Sequence, residues 1–272
     1  VVEELAGKAI WPGLAGPYNF QLPGSPIKDN SNTDVTFYNG HLLSLWYMAG
    51  DPYQVAPTTL ETVGKERLAG GLGHSISAHS KVDAWTGELC FFDYGDEPPY
   101  MRYGIASADG KVVRTVDIDL PGPRSPHDMG LSENYVVLHD LPLFHDVDFL
   151  KQHGRCRLDF HRDLPARFGV LPRSGEGTVR WFDCEPCYVL HIVNTWEDGE
   201  WLHQVGCRQA NPTPAKDPKD LHLASIMAFR RRVHTLHQWS FNLRTGEVRE
   251  TQLDDLNTEF PMVNHNFVGK PT

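Results

Sequence analysis

The chain has 272 residues, 40% of them hydrophobic and 22% charged, with a formal charge of −10, which suits a folded protein with a sizeable core and excludes a disordered tail. Its one basic cluster, Arg230-Arg231-Arg232, reads as a solvated strand or loop edge, so no nucleic-acid surface is expected. No stretch approaches the ~18 apolar residues of a transmembrane helix, and Val1-Val2-Glu3-Glu4 does not open a signal peptide.

Strand and turn signals dominate. In chain order the strand-like runs are Leu42–Tyr47, Glu88–Tyr94, Lys111–Leu120, Tyr135–His139, Tyr188–Val193, Trp239–Leu243 and Glu247–Leu253. Between them lie Trp85-Thr86-Gly87-Glu88, Ala108-Asp109-Gly110-Lys111, Asp198-Gly199-Glu200 and Arg244-Thr245-Gly246-Glu247. Gly in such turns accepts the positive φ that a tight hairpin requires. The Thr-Gly-Glu turn flanked by apolar runs occurs twice, around Gly87 and Gly246, and reads as a blade-like repeat. The fold class expected is all-β, a β-propeller rather than a sandwich. Helical periodicity is confined to Val147–Gln152 and Leu221–Ala228. No composition break divides the chain, so residues 1–272 read as a single domain.

Familiar catalytic motifs are missing. Gly71-Leu72-Gly73-His74 lacks the third Gly and the βαβ setting of a dinucleotide site. Cys184-Glu185-Pro186-Cys187 has metal-knuckle spacing but no second close pair, and a strand rather than a helix follows it. Buried structural thiols are the expectation there. Five cysteines, an odd and sparse set, point to a reducing compartment and a cytoplasmic location.

Histidine is abundant, with 14 residues, and imidazole is the commonest protein ligand for transition metals. His79 precedes a hairpin, His127 leads into the Tyr135–His139 run, and His191 sits inside an apolar strand. They are 48 and 64 residues apart, near the roughly 40–50-residue blade period. Imidazoles one blade apart on innermost strands would share the axis. The same spacing could pair other histidines, among them His74, His139, His237 and His265.

At these residues the sequence resembles the carotenoid cleavage oxygenases, a non-haem iron family that includes apocarotenoid and stilbene-cleaving dioxygenases and the retinal pigment epithelium isomerase. The matching stretches include Pro57-Thr58-Thr59-Leu60-Glu61-Thr62, Ser77-Ala78-His79-Ser80-Lys81-Val82-Asp83, Pro126-His127-Asp128-Met129, Arg167-Phe168-Gly169-Val170-Leu171-Pro172-Arg173, Pro186-Cys187-Tyr188-Val189-Leu190-His191 and Glu259-Phe260-Pro261. The resemblance implies a seven-bladed propeller, of which this chain holds only part of the blades. It implies one Fe(2+) bound by four histidines, the first three being His79, His127 and His191 and the fourth lying beyond residue 272. His265 falls where the family has no ligand.

Family glutamates accept the outer N–H of ligand imidazoles, and Glu259 matches one of them. Met48 stands where a second acid belongs. Tyr47 takes the place of the lysine that binds the substrate phenol in stilbene cleavers. The activity implied is O2-dependent cleavage of a C=C bond in a carotenoid or apocarotenoid to carbonyl products, with no catalytic protein acid or base. A stilbenoid-cleaving dioxygenase and a non-catalytic, degenerate propeller are the alternatives. The partners expected are O2 and an apolar conjugated substrate, with peripheral membrane contact open and no nucleic acid.

Overall fold

The computed structural model describes residues 31, 33–47, 50–146, 148, 149, 152 and 157–271, in which the chain forms four antiparallel four-stranded sheets. Sheet I contains β1 (Asp34–Tyr38), β2 (His41–Leu45), β3 (Tyr53–Val55) and β4 (Thr62–Lys65). Sheet II contains β5 (Lys81–Val82), β6 (Leu89–Tyr94), β7 (Tyr100–Ala106) and β8 (Val112–Asp119). Sheet III contains β9 (Gly130–Leu131), β10 (Tyr135–Asp140), β13 (Ala166–Pro172) and β14 (Arg180–Cys184). Its middle is interrupted by a hairpin of β11 (Leu143–His145) and β12 (Leu158–Phe160). Sheet IV contains β15 (Tyr188–Asp198), β16 (Trp201–Gln209), β17 (Thr235–Asn242) and β18 (Val248–Gln252). In every sheet each strand pairs with the next along the chain, which is the meander of a propeller blade.

The blades stack because side chains alternate between the two faces of a strand. In β6, Phe91 packs toward sheet I with Tyr38 and Leu43, whereas Phe92 packs toward sheet III with Val136 and Leu138. In β10, Val136 faces sheet II and Val137 faces the Trp239 and Phe241 side of sheet IV. Both faces of the middle blades are therefore buried. This is why their strands read as continuous apolar runs such as Leu89-Cys90-Phe91-Phe92 rather than as alternating ones. Burying one such phenylalanine contributes about 1.5–3 kcal/mol. Polar ties lock the stack: Arg173 donates to Asp83 Oδ2 at 2.5 Å and Glu88 Oε2 at 2.7 Å, joining sheets II and III. Glu197 of β15 accepts from Ser132 Oγ at 2.6 Å and from the Asn134 amide at 2.7 Å, joining sheets III and IV.

Every strand-like run named above contains or overlaps a strand, with two corrections to the wider reading. The two Thr-Gly-Glu turns are not a blade repeat, since one joins β5 to β6 and the other β17 to β18. They are the same local device, in which Asp83 and Asn242 each accept two amides of the turn that follows. Of the strand or loop edge expected for the basic cluster, the structure gives the loop: Arg230 ends α1 (Ala224–Arg230), where the helix dipole favours cations, and Arg231 and Arg232 follow it. The 64-residue step from His127 to His191 exceeds the 48-residue step before it because sheet III carries the β11–β12 insertion. Leu221–Ala228 is helical, as a 3-10 turn over Pro218–Leu223 running into α1. Of Val147–Gln152, residues 148, 149 and 152 are helical, and 147, 150 and 151 lie outside the described residues.

Two outcomes test this packing. Gly104 lies opposite Phe91 in the β6–β7 register, and a Cβ there would fall 2.2 Å from Phe91 Cζ. Gly104→Ala is expected to cost about 1–3 kcal/mol of stability, and an unchanged Tm would contradict the contact. His74 Nδ1 lies 2.8 Å from Asp93 Oδ2, and this hydrogen bond raises the His74 pKa against the lowering effect of burial. The pair's stabilisation is thus fully present below the ordinary histidine pKa and fades as pH rises through the raised one. His74→Gln should lower Tm more at pH 5.5 than at pH 9, and equal losses at both would contradict the pairing.

Candidate metal centre

The inner strands β5, β9 and β15 each bring one histidine to the centre of the blade stack. His79 lies two residues before β5, His127 three before β9, and His191 is the fourth residue of β15. Their rings are mutual neighbours, with centroids 4.9 Å (His79–His127), 4.8 Å (His79–His191) and 5.2 Å (His127–His191) apart. One nitrogen from each ring lies within 4.8 Å of the others, which is the only such cluster among the described residues.

Local backbone irregularities aim these rings. His79 has φ +61°, a left-handed conformation that a non-glycine residue adopts only when its surroundings impose it. Its amide is held by Asp34 Oδ2 at 3.0 Å. At His191 the β15–β16 register slips between Val189 and Ile192 and again before Asn194. Gly206, opposite Ile192, permits this bulge, because a Cβ there would sit 3.0 Å from the His191 carbonyl oxygen.

The electrostatics favour neutral imidazoles. Burial, then the neighbouring His79 and His191, pushes His127 down to about 3, and burial likewise lowers His79. At neutral pH both therefore offer a lone pair rather than a positive charge. His191 Nδ1 lies 2.6 Å from Glu259 Oε2. Since a carboxylate only accepts, this contact places the ring proton on Nδ1 and leaves Nε2 as the free donor of electrons. His79 Nε2 is buried with no hydrogen-bond partner, a state that costs about 1–3 kcal/mol unless something binds there. Three converging imidazoles, two of them held neutral by burial, one backed by a carboxylate and one holding an orphaned nitrogen, fit a divalent transition metal.

The surroundings are mixed. The Tyr47 ring lies 5.3 Å from His127 and the exposed Phe260 ring 5.0 Å from His191. A cavity of about 270 Å³ beside the cluster is lined by His79, His191, Lys81, Asp128 and His265 among others. His265 reaches the cavity but not the cluster. Met48 lies outside the described residues. His139, an alternative by spacing, is instead a core residue, 1% exposed with Gln204 Nε2 at 3.3 Å. The four described cysteines are free and buried; burial raises Cys184 and pushes Cys187 up to about 12, so neither is a ready metal ligand or nucleophile. Two carboxylates at the site were not singled out from sequence, Asp34 and Asp128. Asp128 stands within the quoted Pro126-His127-Asp128-Met129 stretch, whereas nothing around Asp34 marks it.

Blades that converge on a histidine cluster define a β-propeller with a candidate metal centre. The retinal pigment epithelial membrane protein family model matches residues 1–272, and the chain belongs to that family. It is 34% identical over 245 residues to a carotenoid 9,10(9′,10′)-cleavage dioxygenase of Phaseolus vulgaris, a match covering 88% of this chain and 44% of the relative. Lignostilbene dioxygenase of Pseudomonas brassicacearum superposes with a TM-score of 0.81 at 26% identity, covering 99% of this chain and 57% of that one. A cobalt-substituted Synechocystis apocarotenoid oxygenase superposes with a TM-score of 0.80 at 22% identity, covering 100% and 60%. The chain thus spans about half the length of the relatives it matches.

Glu259→Gln removes the carboxylate behind His191 and should weaken divalent-metal binding in the intact protein by about 10–100-fold. Isothermal titration of parent and variant gives the ratio, and equal affinities would show that Glu259 does not orient the ring.

Proposed function

We propose that His79, His127 and His191 hold an Fe(II) ion in the intact protein, and that the protein is a dioxygenase cleaving one C=C bond of an apocarotenoid-like polyene. The observation that carries this is the convergence of three imidazoles with Glu259 behind one of them. When bound, the metal supplies the unpaired electrons that allow O2 to react with a closed-shell alkene. The balance is simple: R–CH=CH–R′ and O2 give R–CHO and R′–CHO, with no external reductant and no protein acid or base.

The residues have definite tasks in this scheme. His79 and His127 present neutral nitrogens and His191 a ring held by Glu259, whose carboxylate offsets the charge of the cation from outside the ring set. Tyr47 and Phe260 place aromatic surface against the imidazoles, a suitable wall for a conjugated, apolar substrate. The stilbenoid reading is supported by the structural likeness to a lignostilbene dioxygenase, but Tyr47 stands where stilbene cleavers have a phenol-binding lysine. A cytoplasmic protein that meets its substrate through peripheral membrane contact completes the proposal. The sparse thiols support that location, and no described helix is long and apolar enough to cross a membrane.

The test is Fe(II)-loaded intact protein in O2, offered an apocarotenal and a hydroxystilbene in parallel. Loss of the polyene absorbance with formation of two carbonyl products is expected, and His127→Ala should reduce it to background. Cleavage of the stilbene alone would overturn the substrate class, and turnover of neither would overturn the enzyme reading.

A further inference from the structure

Each of the three histidines lies within two residues of a group bound to one buried carboxylate. Asp128 is 2% exposed and sits on the axis side of the blades, in the wall of the central cavity. Its Oδ1 accepts from Lys81 Nζ at 2.6 Å and from the Met129 amide at 2.7 Å. Its Oδ2 accepts from the Ile192 amide at 2.8 Å. Lys81 follows His79 by two residues, Asp128 follows His127 directly, and Ile192 follows His191 directly. One carboxylate thus ties together the entry of β5, the segment before β9 and the bulge of β15.

The bulge makes the last of these contacts available. Where the β15–β16 ladder slips at Ile192, the Ile192 amide turns to Asp128. Gly206 lets the two strands come close enough for this to happen. A buried carboxylate normally demands a counter-charge, and the Lys81 ammonium supplies it. The two residues together add no net charge beside the imidazoles.

We propose that Asp128 is a positioning residue: through its bonds to Lys81, Met129 and Ile192 it sets the mutual placement of the His79, His127 and His191 rings. This rests on the metal-site reading above. Asp128 reaches no metal itself; it acts through the backbone of the segments that carry the ligands. A carboxylate is needed for all three bonds. An asparagine oxygen could retain Lys81 and Met129, but its amide N–H groups would then face the Ile192 N–H, and the link to β15 would be lost.

The experiment is Co(II) titration of the intact protein, followed by the visible d–d absorption of the bound ion, for the parent, D128N and the double variant K81M/D128N, with thermal unfolding of each metal-free form measured beside it. D128N should bind Co(II) about 10–100-fold more weakly, with an altered visible spectrum. The double variant removes the buried carboxylate together with its half-buried counter-charge, so its Tm should return toward the parent value while its cobalt affinity and spectrum stay impaired. That separation of stability from ligand geometry is what a merely structural ion pair would not produce. Parent-like affinity and spectrum in either variant would overturn the proposal, as would joint loss of stability and affinity in the double variant, because Asp128 would then hold the fold rather than the rings. Should D128N fail to fold, the double variant decides by itself. Absence of cobalt binding by the parent would overturn the metal reading and this proposal with it.

Discussion

Everything at the centre of this molecule depends on blades that bury both faces. The period-two alternation of β6 and β10 sends Phe91 and Phe92, or Val136 and Val137, into different interfaces, so each middle sheet is clamped between its neighbours. Three separate cores result, one at each of the I–II, II–III and III–IV contacts, and the short inner strands β5 and β9 are carried along by them. β5 and β9 are only two residues long and could not hold a position by their own ladders. Their place among the blades comes from the packing of the outer strands, while the bonds of Asp128 to Lys81 and the Met129 amide fix the segments that carry His79 and His127.

Charge is the second constraint. Three imidazoles in ring contact cannot all be protonated, and burial already drives His127 and His79 toward the neutral form. Around that neutral cluster the carboxylates are distributed with distinct roles. Glu259 touches an imidazole directly and selects its tautomer. Asp34 takes the His79 amide and supports its left-handed backbone. Burial pushes the Asp128 pKa up, but the Lys81 charge first, and then the bonds from Lys81 and the Ile192 amide, hold it below the usual carboxylate range. Positive charge brought by a metal would therefore meet an environment that is polarisable and anionic at its edges, yet not so charged as to repel an apolar substrate.

What was legible in the sequence follows from these constraints. Runs such as Leu89–Tyr94 and Tyr135–His139 stood out because a strand buried on both faces has few polar residues to blur it. β5 and β9 left no periodic signal because two residues have no period. The Thr-Gly-Glu turns misled because the Asx device that builds them is local and indifferent to which pair of strands it joins. His79, His127 and His191 stood out by spacing and motif, though the β11–β12 insertion blurs the spacing, and nothing short of the motif separates them in the sequence from His139, which is more deeply buried and contacts Gln204. Asp34 was invisible, since its link to His79 spans 45 residues and depends on sheets I and II meeting face to face. Asp128 was visible as a residue but not as a junction, because its bonds to Lys81 and Ile192 exist only once three blades have converged.

The central claim is that one metal ion sits among three imidazoles contributed by three consecutive blades. Anomalous diffraction at the iron absorption edge, from crystals of the intact protein grown with Fe(II) under anaerobic conditions, tests it most directly. A single strong peak bonded to nitrogens of His79, His127 and His191 is the predicted result. A peak elsewhere, or one touching fewer than these three residues, would contradict it.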